Sequence, residues 1–218
     1  ADATHASAVA TLRERKRRVG KPFALMVPDL GAAEEFCAAD DVSRALLLGP
    51  ERPVVLMSKK PNIPIVDDVA PGLRELGVFL PYTPLHHLLF ADGRFVALVM
   101  TSGNVSEEPI AAGNQEAVER LHELADFFLV HNRDILRRCD DSVVRASGGR
   151  VRQLRRSRGY VPVPVFLGDE MPPVLAVGGE LKNTICLTRG RHAFLSQHVG
   201  DLENLAAHQF FEEAVEHF

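Results

Sequence analysis

The chain has 218 residues, 46 % hydrophobic and 25 % charged; that suits one large domain, or one domain with part of another, and excludes disorder, collagen and coiled coil. No apolar run reaches the roughly 18 residues of a membrane span, the start does not read as a signal peptide, and Cys37, Cys139 and Cys186 are too scattered for a disulfide framework or zinc cage. A cytoplasmic location is the default expectation, and the net charge of −4 is unremarkable until its distribution is examined.

From the N-terminus, residues 4–19 predict a helix with Ala6, Val9 and Leu12 on one side, capped by Thr4 or Asp2 and stopped by Lys21-Pro22. Residues 23–27 form a buried-type strand. Helices are expected at 30–38 and 42–48, the second closed by Gly49-Pro50. Strands follow at 53–57 and 78–80, then a helix at 83–90 and the clearest buried strand, 95–100. That strand runs into a polar loop, Thr101-Ser102-Gly103-Asn104, continuing to Pro109. A helix at 115–126 and a strand at 127–130 come next. Short strands at 142–146 and 150–154 flank a Gly148-Gly149 turn. The alternation argues for an α/β domain with a mixed sheet. Pro162, Pro164, Pro172 and Pro173 give residues 160–173 the composition of a linker. Beyond it, strands are predicted at 174–177, 184–187 and 192–197, with a turn at Arg189-Gly190 and an acidic helix to Phe218. These last residues are too few for a core of their own, so a second domain is expected to be only begun.

Two basic islands stand out. Residues 13–21 carry six basic side chains against Glu14 alone, and residues 133–158 carry nine arginines against Asp134, Asp140 and Asp141. Only five of the 25 basic residues are lysine. Arginine's planar fork grips phosphate or carboxylate in a bidentate way that an ammonium cannot. Composition alone leaves a polyanion site and two solvated faces equally open. The usual nucleotide motifs (GxxxxGK[ST], GxGxxG) and the zinc motif HExxH are missing. Small polar groups directly after a strand, as in residues 101–104, suit a ligand site because ligands gather where strands end. The islands and that loop together supply what a triphosphate site without a P-loop requires.

Those pieces resemble the YrdC-like family, which binds ATP through a Lys-x-Arg pair and a Ser-x-Asn loop, matched here by Lys16 and Arg18 and by Ser102 and Asn104. The longer runs SxNxSEEPI, HNRDIxxRCDDSVVR and RRSRGYVPxP resemble the HypF family of carbamoyltransferases more specifically. Residues 175–184 and 195–202 resemble the opening of that family's transferase domain, which has an actin/Hsp70-type fold. The resemblance implies a YrdC-like twisted mixed sheet with flanking helices over residues 1–159, lacking its first strand. A linker at 160–173 and a truncated transferase hairpin at 174–218 would follow. The family's acylphosphatase-like domain, zinc fingers and metal-binding histidines would then fall outside these residues.

The implied activity consumes carbamoyl phosphate and ATP, forms carbamoyl-adenylate and passes the carbamoyl group to the C-terminal cysteine of HypE, on the way to the cyanide ligands of nickel–iron hydrogenase. Lys16, Arg18, Ser102 and Asn104 are the implied catalytic set. Lys21, Thr101, Ser142, Arg155, Arg158, Lys182, Asn183 and Thr184 are implied phosphate or nucleotide contacts. Asp140 and Asp141 either hold Mg²⁺ or orient arginines. His131 suits a structural or substrate-positioning role better than proton shuttling, and Cys139 suits a packed or half-exposed thiol better than a nucleophile. Asn132 stands where many relatives carry Asp. These residues alone are expected to turn over weakly or not at all. Two other readings stay in view: a threonylcarbamoyl-adenylate synthase of tRNA modification, and a non-catalytic double-stranded RNA-binding module. Aromatic residues at 6 %, with no tryptophan, argue against reading single strands by stacking.

Overall fold

Aliphatic runs broken by well-capped helices build the first of two units in this computed structural model, which describes residues 1–105 and 108–218. Ser106 and Glu107 of the SEEPI run lie outside the described residues. One unit comprises residues 1–101 and 142–155, the other 102–141 and 156–218.

The first unit runs α1 (Ala6–Arg15), β1 (Ala24–Met26), α2 (Leu30–Phe36), β2 (Cys37–Ala38), α3 (Asp41–Leu48), β3 (Val54–Lys59), β4 (Glu75–Phe79), α4 (Pro84–Phe90), β5 (Leu98–Met100), β6 (Val143–Ser147) and β7 (Arg150–Arg155). Side chains at the N-caps explain where α2, α3 and α4 start: Asp29 accepts from the Ala32 amide at 2.9 Å, Asp40 from Ser43 at 2.8 Å, and Thr83 from His86 at 3.2 Å just ahead of Pro84. Helix α1 instead starts after His5, which makes no side-chain cap bond, and not after the expected Thr4 or Asp2. Among the described residues the strands form one sheet in the order β5-β1-β4-β3-β6-β7, with β2 paired to β3. It is mixed, since β1/β4 and β3/β6 are parallel and the other pairs antiparallel. Met26, Val54, Phe79, Phe90 and Leu98 pack into a core in which none is more than 8 % exposed. The expected α/β mixed sheet with flanking helices is what the chain forms.

Gly77 sits in β4 between Ala24 on β1 and Leu56 on β3. A Cβ there would lie 2.8 Å from Val54 Cγ1 and 3.3 Å from Leu56 Cδ2. Gly77→Ala is therefore expected to cost about 1–3 kcal/mol by overpacking, read as a lower denaturant midpoint. An unchanged midpoint would show that the core yields at no cost.

The second unit contains α5 (Asn114–Leu121), β8 (Val165–Met171), β9 (Leu175–Val177), β10 (Ile185–Leu195) and α6 (Leu205–His217). The Glu116 carboxylate accepts from the amides of Ala112 at 2.9 Å and Gly113 at 3.2 Å, so α5 begins one residue earlier than the sequence suggests. It also ends earlier, at Leu121 rather than 126, in a turn where the amides of Leu124 and Ala125 both reach the Leu121 carbonyl. Residues 127–130 are no strand. Phe127 is 93 % and Leu129 78 % exposed, and among the described residues no strand pairs with them. The strands stand in the order β8-β10-β9, all antiparallel. The expected hairpin after the proline-rich stretch is thus β9 and β10, but β8 lies within that stretch. The predicted turn at Gly190 is a bulge: with φ +59° it marks a register slip between Gly190 and His192, and β10 continues through it. Ile185, Val199, Phe210 and Ala214 form this unit's core. Arg138 ties α6 down, donating from Nε to the Ile110 carbonyl at 2.8 Å and pairing with Glu213 at 3.2 Å. Among the described residues no helix is long and apolar enough to cross a membrane.

Candidate functional site

In the first unit the Lys-x-Arg pair is positioned by the way α1 ends. Lys16 is the C-cap; the Arg17 amide bonds the Glu14 carbonyl at 2.8 Å and the Arg18 amide the Arg13 carbonyl at 3.0 Å. These are the two bonds of a Schellman motif, with Arg17 in its left-handed position at φ +49°. The reversal leaves Lys16 only 2 % exposed. Gly20, at φ +73°, makes the next turn without steric cost.

Arg13 closes this loop, which the sequence reading did not foresee. Its Nη1 donates to the carbonyls of Arg18 at 2.7 Å and Lys21 at 3.1 Å, and its Nε to the carbonyl of Asp68 at 3.1 Å. Arg18 folds back as well, from Nε to the Lys21 carbonyl at 3.3 Å and from Nη2 to that of Pro22 at 2.9 Å. Both guanidiniums lie over the Phe23 ring, 4.8 Å and 5.1 Å from its centroid. Lys16, Arg18 and Lys21 thus share one braced loop.

Ser142 and Arg155 also belong to this unit. Ser142 is fully buried and its carbonyl accepts from the Val54 amide at 2.8 Å where β6 begins; Arg155 ends β7 opposite Val143. Thr101 is the residue after β5.

In the second unit Ser102 and Asn104 hold each other. The Ser102 hydroxyl donates to Asn104 Oδ1 at 2.7 Å, and Asn104 Nδ2 donates to the Glu108 carbonyl at 2.7 Å. Asp141 accepts from Arg158 Nε at 2.8 Å, while the Arg158 amide bonds the Asp140 carbonyl at 3.0 Å. Of the two roles open to this acidic pair, Asp141 performs the orienting of an arginine. Among the described residues no three His, Cys, Asp or Glu side chains converge as a metal cage.

Lys182, at φ +51°, gives its amide to Asp201 at 2.5 Å. Asn183 is 1 % exposed; its amide reaches the Gly200 carbonyl at 2.8 Å, its Nδ2 the Gly179 carbonyl, and its Oδ1 meets no donor among the described residues. Thr184 leads into β10. Cys139 is an exposed residue whose Sγ lies 3.3 Å from Ser157 Oγ, and partial desolvation of the thiol pushes its pKa upward. His131 Nδ1 accepts from the Arg133 amide at 3.2 Å.

A seven-stranded mixed sheet in this order, flanked by helices, defines an α/β protein of YrdC-like type. The chain belongs to the Sua5/YciO/YrdC family: the family model described as "Telomere recombination" matches residues 1–157, and that of the "HypF Kae1-like domain" matches residues 169–218. The expected kinship with HypF carbamoyltransferases holds. Carbamoyltransferase HypF2 of Cupriavidus necator is 49 % identical over 233 residues, an alignment that takes in 99 % of this chain and 29 % of the relative. A crystal structure of full-length HypF in its phosphate- and nucleotide-bound form superposes with a TM-score of 0.94 at 48 % identity, covering 99 % of this chain and 34 % of that one. Sua5 of P. abyssi, at 15 % identity and a TM-score of 0.64 over 75 % of this chain and 46 % of its own, shares the fold alone. The chain thus spans about three tenths of the length of the curated relative it matches.

Proposed function

We propose that these residues form the ATP- and carbamoyl-phosphate-using part of a carbamoyltransferase, and that the observation carrying this reading is the braced Lys16–Arg18 loop within a HypF-like sequence. Water hydrolyses carbamoyl phosphate to carbamate and phosphate, and the carbamate then attacks the α-phosphorus of ATP through a carboxylate oxygen. The α–β phosphoanhydride bond breaks, pyrophosphate leaves with its electron pair, and carbamoyl-adenylate remains. Such chemistry needs positioning and charge stabilisation more than proton transfer. Lys16 and Arg18 serve the phosphate oxygens. Ser102 and Asn104, already fixed on each other, bond phosphate or ribose. Lys21, Thr101, Ser142, Arg155 and Arg158 are further clamps, and Lys182, Asn183 and Thr184 serve the second nucleotide site of the transferase half.

Magnesium is proposed at Asp140 and Asp141, the second of which also takes Arg158 Nε–H on its Oδ1; bound there it would neutralise charge on the triphosphate. HypE is the proposed acceptor, through its C-terminal cysteine, and the cytoplasm the proposed location. Support comes from the family kinship and from the phosphate and nucleotide held by a solved relative at 48 % identity.

The test is ATP–pyrophosphate exchange in a protein of the relatives' full length carrying this sequence. Exchange is expected with carbamoyl phosphate and not with threonine plus bicarbonate. The reverse dependence would establish the tRNA-modifying reaction instead, and salt-sensitive RNA binding that ATP leaves intact would establish the RNA-binding one. The 218 residues alone are expected to carbamoylate no acceptor.

A further inference from the structure

Two arginines grip the segment that follows the Ser102–Asn104 pair. Residues 108–110 lie in no helix or strand, so their carbonyls need donors from elsewhere. Arg120 of α5 gives Nη2 to the Pro109 carbonyl at 3.0 Å and to the Glu108 carboxylate at 2.7 Å. Arg138 gives Nε to the next carbonyl, that of Ile110, at 2.8 Å. Between the two guanidiniums stands Glu116, whose Oε1 pairs with Arg120 and lies 3.9 Å from Arg138 Nη2. The side chains of Arg120 and Arg138 are only 27 % and 23 % exposed, so water and salt screen these contacts less than at an open surface.

Arg138 reaches further. Its Nη1 pairs with Glu213 at 3.2 Å, and its guanidinium carbon lies 5.9 Å from the centroid of the Phe210 ring, both on α6. Phe210 is anchored in the core with Ile185, Val199 and Ala214. One planar fork thus joins the loop, α5 and α6, which an ammonium could not do. From Ile110 the path back to the pair is short. The Ala111 amide bonds the Gly103 carbonyl at 2.9 Å, and Asn104 Nδ2 holds the Glu108 carbonyl at 2.7 Å. The second unit, moreover, takes in residues of both family matches, 102–141 from the first and 169–218 from the second. The Ser102–Asn104 pair belongs to one match and α6 to the other, and Arg138 spans them.

We infer that Arg138 is a positioning residue for nucleotide binding, through which α6 helps to hold the Ser102–Asn104 pair in place. The inference rests on the proposed use of that pair by ATP. A loop fixed in advance leaves more of the binding energy for the nucleotide, since none is lost on ordering it.

The first arm of the test needs no turnover. In a protein of the relatives' full length carrying this sequence, Arg138→Met and Glu213→Ala each speed hydrogen exchange at the amides of Asn104 and Ala111, which close the loop on the carbonyls of Ser102 and Gly103. The amides of Ile185 and Ser196, in the part of the unit that packs against α6, keep their protection. Glu213 is half exposed, so Glu213→Ala tests the connection without disturbing the core, should Arg138→Met fold poorly.

The second arm reads ATP–pyrophosphate exchange. Both variants raise the KM for ATP by roughly threefold to twentyfold, the usual span of coupling carried by a contact network, and leave kcat near the parent value. Arg138→Lys reaches the Ile110 carbonyl or Glu213 but not both, and falls between. Combining Arg138→Met with Ser102→Ala costs less than the product of the single effects, because both act on one contact. Faster loop exchange together with weaker ATP binding, in a protein whose parent shows no pyrophosphate exchange, would uphold the inference and overturn the reaction. An unchanged KM for ATP in both variants would overturn the inference, whatever the amides show. So would effects of Arg138→Met and Ser102→Ala that multiply in full, which would make Arg138 a brace for α6 and nothing more.

Discussion

Lys16→Ala lowers carbamoyl-phosphate-dependent exchange in the full-length protein by at least about a hundredfold, the usual effect of removing one preorganised charge-stabilising donor. Lys16 caps α1 and is 2 % exposed, so its ammonium acts where water screens it little, and each interaction with a developing phosphate charge counts for more than at the surface. The control is its neighbour. Arg17 carries the same charge one residue on, but it is exposed and occupies the left-handed position of the Schellman turn. Arg17→Gly removes one positive charge from the same loop and suits the backbone better, so it should keep exchange near the parent level. Equal losses in both variants would mean that only the net charge of the island matters. Retained exchange in Lys16→Ala would remove Lys16 from the site.

The contrast between these two residues also shows what sequence alone can carry. Lys16 and Arg18 were legible because their spacing resembles a family motif, and the Ser102–Asn104 pair for the same reason; their mutual hydrogen bond agrees with that spacing. Geometry was another matter. The left-handed turn at Arg17 carries no glycine to announce it, whereas Gly190 looks like a turn and is a bulge in an unbroken strand. The strand Val165–Met171 was hidden by its surroundings. Prolines stand on both sides of it, but none within, and as an edge strand it leaves most of its side chains exposed, so no buried alternation marks it. Residues 127–130 mislead in the opposite direction, being apolar enough for a strand but exposed and unpaired. The brace that Arg13 forms was missed because composition shows that a charge is present and cannot show what it touches.

Arg13→Ala should reproduce part of the Lys16 defect without touching any proposed substrate contact. The substitution strips the donor from the carbonyls of Arg18, Lys21 and Asp68 and takes one of two cations from the Phe23 ring, itself 2 % exposed. Carbonyls left without a partner must turn to water, and the loop can expose them only by giving up the arrangement that holds Lys16 and Arg18 together. The cost to global stability is about 1–3 kcal/mol. The larger effect is local: amides between residues 17 and 21 lose hydrogen-exchange protection, and the KM for ATP rises by about tenfold or more because binding must now order the loop first. Arg13→Lys rescues little, since one ammonium cannot span carbonyls that a planar fork reaches from separate edges. Phe23→Leu separates the two supports, keeping most of the buried volume and all of the carbonyl bonds while removing the ring; it should loosen the loop less than Arg13→Ala does. If Arg13→Ala leaves both the amide protection and the KM for ATP unchanged, the loop is held by α1 and Gly20 alone. If Phe23→Leu proves the worse of the two, ring stacking, and not the convergence of carbonyls on one guanidinium, is what positions the Lys-x-Arg pair.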